Sequence, residues 1–233
     1  MREGRVAEAK APRTAVADFR SPLVRNLGRV EFEPTWRAMQ AFSRSRGPDA
    51  ADEIWIVEHP PVFTLGLAGR AAHVLDPGAI PVVRTDRGGQ VTYHGPGQVV
   101  CYLLVDLRRL AFGVRELVRR IEAALVATLA EYDIAAHAEP GMPGVYLTRA
   151  DGTLAKIGAI GLRVANHSTY HGLALNVDMD LEPFQRIDPC GYPGLAVAQM
   201  KDQGVSDSME RIGARLAAQL LSRLAPPVAP HPS

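Results

Sequence analysis

Val91-Thr92-Tyr93-His94-Gly95-Pro96-Gly97-Gln98-Val99-Val100-Cys101-Tyr102-Leu103-Leu104-Val105-Asp106 is the stretch that decides the fold class. Two runs rich in β-branched and aromatic residues, Val91–His94 and Val99–Asp106, flank a Gly-Pro-Gly turn too short to hold a helix. Outward from it, Glu53–Glu58, Ile80–Arg84, Val145–Thr148, Lys156–Val164 and Thr169–Val177 also read as strands. Helical spacing occurs in three places. Pro34 suits a first helical turn and precedes Trp36, Met39 and Phe42. Val114, Leu117, Val118, Ile121, Leu125 and Leu129 line one face of a helix over Val114–Tyr132. Asp207 and Glu210 read as a capping pair ahead of Ile212, Leu216, Leu220 and Leu224. The middle strands succeed one another without helical crossovers. The expected class is therefore α+β, a mixed, largely antiparallel sheet flanked by helices.

The 233 residues carry 26 Lys+Arg against 25 Asp+Glu, 47% are hydrophobic and 22% charged. That balance excludes wholesale disorder and gives no global field for nucleic acid or an anionic membrane. Two cysteines, Cys101 and Cys190, exclude a disulfide framework and fit a cytoplasmic thiol-bearing enzyme. No run approaches the roughly 18 apolar residues of a membrane span. Met1–Arg20 lacks the apolar core of a signal peptide and is expected to be a disordered extension, residues 1–20. Residues 225–233 are Pro-rich and expected to be a disordered tail. Residues 21–224 are expected to form a single domain.

Four stretches hold residues that can carry chemistry. In Arg87-Gly88-Gly89-Gln90-Val91-Thr92-Tyr93-His94, adjacent glycines let backbone approach a ligand, and polar groups crowd one sheet edge. Neither the Walker nor the dinucleotide glycine spacing is present. Strict alternation puts Lys156 on one face with Ile160, Leu162 and Val164 if no bulge intervenes. A lysine turned into an apolar cleft is a candidate base; a strand-end lysine reaching water is the plainer alternative. Alternation also puts His171, Leu173, Leu175 and Val177 on one face and Tyr170, Gly172, Ala174 and Asn176 on the other. Small Gly172 and Ala174 leave room for either an apolar ligand or a closely packed layer. Cys101 sits in an apolar run and reads as inert core. Cys190 sits in Ile187-Asp188-Pro189-Cys190-Gly191-Tyr192, a loop that presents its thiol, as a nucleophile or incidentally. The seven histidines show no metal-ligand spacing, so a metal site is not expected.

Taken together, Glu58-His59-Pro60-Pro61-Val62-Phe63-Thr64-Leu65-Gly66, the Arg87–Gln98 stretch, Lys156-Ile157, Tyr170–Val177 and Pro189-Cys190-Gly191-Tyr192 resemble the lipoyl(octanoyl) transferases. The match runs in the family's order over about residues 52–194. The resemblance implies the fold of biotin and lipoate protein ligase catalytic domains. It implies transfer of an octanoyl group from octanoyl-acyl carrier protein to the lysine of lipoyl domains. Implied acceptors are the lipoyl domains of 2-oxoacid dehydrogenases and the glycine cleavage H protein; no cofactor is implied. The family's thioester cysteine corresponds to Cys190 and its activating lysine to Lys156. Its acyl pocket corresponds to Arg87–His94, Ala159-Ile160-Gly161 and Gly172-Leu173-Ala174. Alanine at 159 stands where many members have serine or a similar small residue.

Simple arithmetic bears on the lysine. Lowering a thiol pKa from about 8.5 to about 7 raises the thiolate fraction roughly 16-fold. Nucleophilicity falls roughly fivefold over the same change, so the net gain is only about threefold. A lysine that matters more than this must move protons. Two rival classes remain: an ATP-dependent lipoate ligase on the same fold, which needs no cysteine nucleophile, and a non-catalytic module that binds acylated proteins.

Overall fold

The computed structural model describes residues 20–225. Residues 1–19 and 226–233, which hold nearly all of the expected disordered extension and tail, lie outside the described residues.

One large mixed sheet organises the chain. Its order is β1 (Leu23–Arg29), β2 (Glu53–Glu58), β6 (Gln98–Leu104), β10 (Ser168–Asn176), β9 (Leu154–Ala165), β8 (Met142–Thr148) and β7 (His137–Glu139), with β11 (Ala196–Val197) pairing beside β9. The β1·β2 and β11·β9 pairs are parallel and the other pairs antiparallel. A second sheet of order β4 (Val82–Arg84), β3 (Val62–Leu65), β5 (Val91–His94) packs beside it. The α+β class expected from the strand succession is thus the observed one.

The Gly95-Pro96-Gly97 turn does not close a hairpin. β5 pairs with β3 in the small sheet, whereas β6 lies between β2 and β10 in the large one. The turn hands the chain from one sheet to the other and is held by Val177 and Asp178, whose N–H groups both donate to Gly97 O. β1 carried no signal in the sequence because all seven of its residues are exposed, leaving no alternation to read. The expected strand from Ile80 begins only at Val82, since Ile80 closes a turn onto Pro77.

Helices cover both faces of the large sheet. α3 (Val114–Ala130) and α4 (Met209–Leu224) lie on one face, after the short α2 (Leu107–Leu110). Leu117, Ile121, Leu125 and Leu129 of α3 and Ile212, Leu216 and Leu220 of α4 join Ile54, Cys101, Leu103, Leu173, Leu175 and Val145 in the main core. Truncating any of these large residues should cost about 2–5 kcal/mol. Val114 stays exposed, so the buried stripe starts a turn later than expected. Ser208, not Asp207, caps α4, its Oγ accepting from Arg211 N at 3.2 Å. α1 (Phe32–Ser45) covers part of the opposite face, burying Phe32, Thr35, Met39 and Ser43. Trp36 and Phe42 are only partly buried against Trp55, Val100 and Tyr102.

Candidate active site

The sheet face opposite α3 and α4 holds the cavity. Val100 and Tyr102 of β6, Ala159 of β9 and Ala174 of β10 form its floor, and Phe32 closes one side. It encloses about 540 Å³, counting the part open to solvent. Arg87, Gly89, Gln90, Val91, Thr92 and His94 contribute its second wall. That wall reaches the floor because Gly88 N donates to Leu162 O on β9 at 2.8 Å. Ile160, Gly161, His171, Gly172 and Leu173 complete the lining. Two residues of the expected set do other work. Gly88 makes the tie to β9, and Tyr93 turns away to pack with Phe63 and Phe184.

Arg87 is buried and braces the wall. Its Nε donates to Thr64 Oγ1 at 3.1 Å, and its guanidinium also reaches Thr64 O at 2.5 Å and Gly88 O at 2.9 Å. Gly172 is small for a structural reason. A β-carbon there would lie 2.0 Å from Cys101 O and 2.9 Å from Leu103 Cδ1, so the missing side chain makes way for β6. Ala174 lies on the cavity side with Val100 and Tyr102.

A β-bulge overturns the expected face of Lys156. Val145 pairs with Gly158, but Tyr146 pairs with Lys156, leaving Ile157 as the extra residue. The extra residue reverses the alternation. Lys156 therefore shares its face with Tyr146, Gly144 and Ala159 rather than with Ile160, Leu162 and Val164. It is 5% exposed, its Nζ donates to Pro143 O at 3.1 Å, and it stands 5.0 Å from the centre of the Tyr146 ring.

Cys190 lies in the 3₁₀ turn Pro189–Gly191, which is closed by Gly191 N donating to Asp188 O at 2.9 Å. Two contacts tie the preceding Asp188 to His73: backbone N–H to O at 2.9 Å, and Asp188 Oδ2 to His73 Nδ1 at 3.0 Å. On the other side, Gly191 packs against the Gln90 amide, where an added β-carbon would sit 3.3 Å away. The same loop continues into β11, parallel to β9 at Ala155 and Lys156, and Ala198 N donates to Lys156 O at 2.9 Å. Cys101 is fully buried in the main core, and burial pushes its thiol pKa up to about 12.

A polar hub behind the wall was not legible in the sequence. Asp86, just ahead of the glycine loop, accepts from Trp36 Nε1 at 2.8 Å, Gln40 Nε2 at 3.1 Å, His171 Nε2 at 3.0 Å and the Tyr170 hydroxyl. Burial pushes the Asp86 pKa up, but these donors outweigh it and hold the carboxyl well below the usual range. Burial lowers the His171 pKa despite the neighbouring carboxylate, so a neutral ring donates through Nε2–H. His171 occupies the left-handed region at φ 59°, and its ring stacks on Tyr170 instead of following the Leu173 and Leu175 face. Left-handed backbone breaks the period-two alternation, and histidine is among the residues that tolerate it. The signal available in sequence was only the adjacency of Asp86 to Arg87.

Two further histidines are neutral. His59 Nδ1–H donates to Val30 O at 2.7 Å, which leaves Nε2 to accept from the Tyr102 hydroxyl at 2.7 Å. Burial lowers its pKa. His94 Nδ1–H donates to Gln98 Oε1 at 2.7 Å, and burial, reinforced by His59, lowers its pKa to about 3. The site thus combines an apolar cavity, a buried lysine beside it and neutral imidazoles. Among the described residues, no group of three or more His, Cys, Asp or Glu could hold a metal ion, and no helix is long and apolar enough to cross a membrane.

Residues 32–221 match the lipoyl protein ligase A/B catalytic domain. The chain is 58% identical over 200 residues to the octanoyltransferase of Pseudomonas fluorescens (strain SBW25), an alignment covering 86% of this chain and 91% of that protein. It is 56% identical over 204 residues to the octanoyltransferase of Laribacter hongkongensis, covering 88% and 96%. Its fold is similar to a bi-partite lipoate protein ligase from Thermoplasma acidophilum, with a TM-score of 0.68 at 16% identity, covering 87% of this chain and 84% of that one.

Proposed function

The chain belongs to the family of lipoyl protein ligase A/B catalytic domains, and from that premise we propose that it is an octanoyltransferase working through a thioester on Cys190. The donor is octanoyl-acyl carrier protein. The acceptors are the lysines of lipoyl domains, in 2-oxoacid dehydrogenases and the glycine cleavage H protein. Residues 21–224 act as one acyltransferase domain, and the compartment is the cytoplasm.

The observation that carries this reading is a buried lysine on the face of an apolar cavity, on the strand that also anchors the Cys190 loop. The octanoyl tail lies in the cavity over Val100, Ala159 and Ala174. Burying its methylene groups contributes at most about 0.8 kcal/mol each. The Cys190 thiolate attacks the thioester carbonyl of the donor, and the bond to the phosphopantetheine sulfur breaks as the new one forms. Lys156 gives its proton to the departing sulfur. The neutral amine then takes the proton lost by the incoming lysine as that lysine attacks the Cys190 thioester. An amide forms, and Cys190 leaves as thiolate. No ATP is consumed.

Intact mass of the purified protein after exposure to octanoyl-acyl carrier protein tests this. The expected result is an octanoyl adduct that hydroxylamine removes and that Cys190→Ser fails to form. A Cys190→Ser enzyme that still modifies a lipoyl domain, given ATP and octanoate, would place the chain with the ligases. Carrier binding without any adduct would leave only a binding module.

A further inference from the structure

We propose that Glu122 is a positioning residue, fixing a peptide group that seats the Lys156 side chain. The inference rests on the role given to Lys156 above.

β8 carries a second irregularity beside β7. Ala138 pairs with Val145, but Glu139 pairs with Met142, so Pro143 and Gly144 are extra residues that leave that ladder. Gly144 is buried although Pro143 is exposed, and a peptide group released from a ladder at such a point takes other partners. Here side chains supply both. Gly144 N–H donates to Glu122 Oε1 at 3.1 Å, and Pro143 O accepts from Lys156 Nζ at 3.1 Å. Those two atoms belong to the same peptide bond.

Glu122 comes from α3, which packs on the face formed by Val145 and Ile157, whereas Lys156 lies on the cavity face. The Pro143–Gly144 peptide therefore links carboxylate and ammonium across the sheet. A carboxylate accepting from the N–H end polarises the amide and strengthens its carbonyl as an acceptor. Gly144 allows nothing else at this point. Its φ is 130°, and a β-carbon would lie 2.9 Å from Lys156 Cε and 2.6 Å from Gly158 O. Proline at 143 fits as well, since its missing N–H costs nothing in a bulge.

The test uses the full chain with Glu122→Ala, Glu122→Gln, Lys156→Met and the double variant Glu122→Ala/Lys156→Met. Two quantities are read: kcat and KM for octanoyl transfer, and the pH midpoint of Cys190 alkylation by iodoacetamide. Glu122→Ala should lower kcat about 10- to 100-fold with little change in KM, as a misplaced catalytic group does. It should also move the alkylation midpoint to higher pH, in the direction of Lys156→Met. Glu122→Gln retains an accepting oxygen and should recover most of kcat, with a smaller shift of the midpoint. In the Lys156→Met background, Glu122→Ala should add no further loss. An unmoved midpoint in Glu122→Ala, or losses that add in the double variant, would overturn the inference. If the alanine protein does not fold, an unmoved midpoint in Glu122→Gln does the same. If Lys156→Met itself leaves midpoint and transfer unchanged, the role of Lys156 is what fails, and the inference goes with it.

Discussion

His171 Nε2 lies 3.0 Å from Asp86 Oδ1, joining a left-handed residue of the cavity floor to the residue that opens the glycine-rich wall. Asp86 serves four donors on two oxygens. In Asp86→Asn one oxygen becomes an amide NH2 that cannot accept, and the two donors on that oxygen lose their acceptor. Each stranded donor costs about 1–3 kcal/mol when water cannot reach it. Asp86 is partly exposed, so a total loss near the lower end, about 2 kcal/mol, is expected in urea unfolding. Transfer activity should fall with it as the wall loses its hold on the floor.

Thiol chemistry should separate the two cysteines. Cys101 is fully buried with its pKa pushed up to about 12, so it stays protonated and shielded. Peptide mapping after brief iodoacetamide treatment should find label on Cys190. Preferential labelling of Cys101 would contradict this.

Cavity depth should follow position 174 and not position 172. Ala174→Leu projects into the cavity and should shift the preferred acyl chain to shorter lengths, measured on a donor series. Gly172→Ala meets the Cys101 carbonyl instead. It should cost about 1–3 kcal/mol of stability and reduce activity on all chain lengths alike.

Stability should fall on mild acidification. His94 has a folded pKa of about 3, against 6.5 when unfolded, and is neutral in the native protein. Below 6.5 the unfolded chain binds a proton that the native state refuses. Its contribution is therefore complete above pH 6.5 and declines as pH falls toward 3, by about 1 kcal/mol per unit. His59 and His171 are lowered in the same sense. Tm should drop between pH 7 and 5, and His94→Gln should flatten that slope. An equal slope in the variant would count against a neutral His94.

Charge and proton transfer at Lys156 can be told apart by Lys156→Arg. Arginine keeps the charge but does not give up its proton near neutral pH. If the charge alone mattered, the variant should stay within about tenfold of wild type, given the small net gain from thiolate formation. A loss of about 100-fold or more is expected, with Cys190 alkylation much less affected. Lys156→Met controls for arginine's bulk and should impair both. Near-normal transfer by the arginine enzyme would refute the shuttle.

Much of the frame was legible in the sequence. The helical stripes of α3 and α4 are local consequences of spacing, and their buried residues are nearly those expected. Cys101 was recognisable as core from its apolar neighbours. β1 was silent because an exposed edge strand has no alternation to display. The cap of α4 was misread by one residue, since Asp207 and Ser208 are both good caps and only geometry selects between them.

Residue types, their order and the period of their apolar faces were determined by sequence alone: the α+β class, the motif set and the candidate residues. Which way Lys156 and His171 face was decided only by tertiary structure. One extra residue at Ile157 and one left-handed residue at His171 each change the phase of a strand. Such shifts depend on how β9 pairs with β8 and, for His171, on Asp86, far away in the chain. The Asp86 hub and the Glu122–peptide–Lys156 link are likewise invisible in sequence, because hydrogen bonds between separate elements exist only once the sheet has brought those elements together.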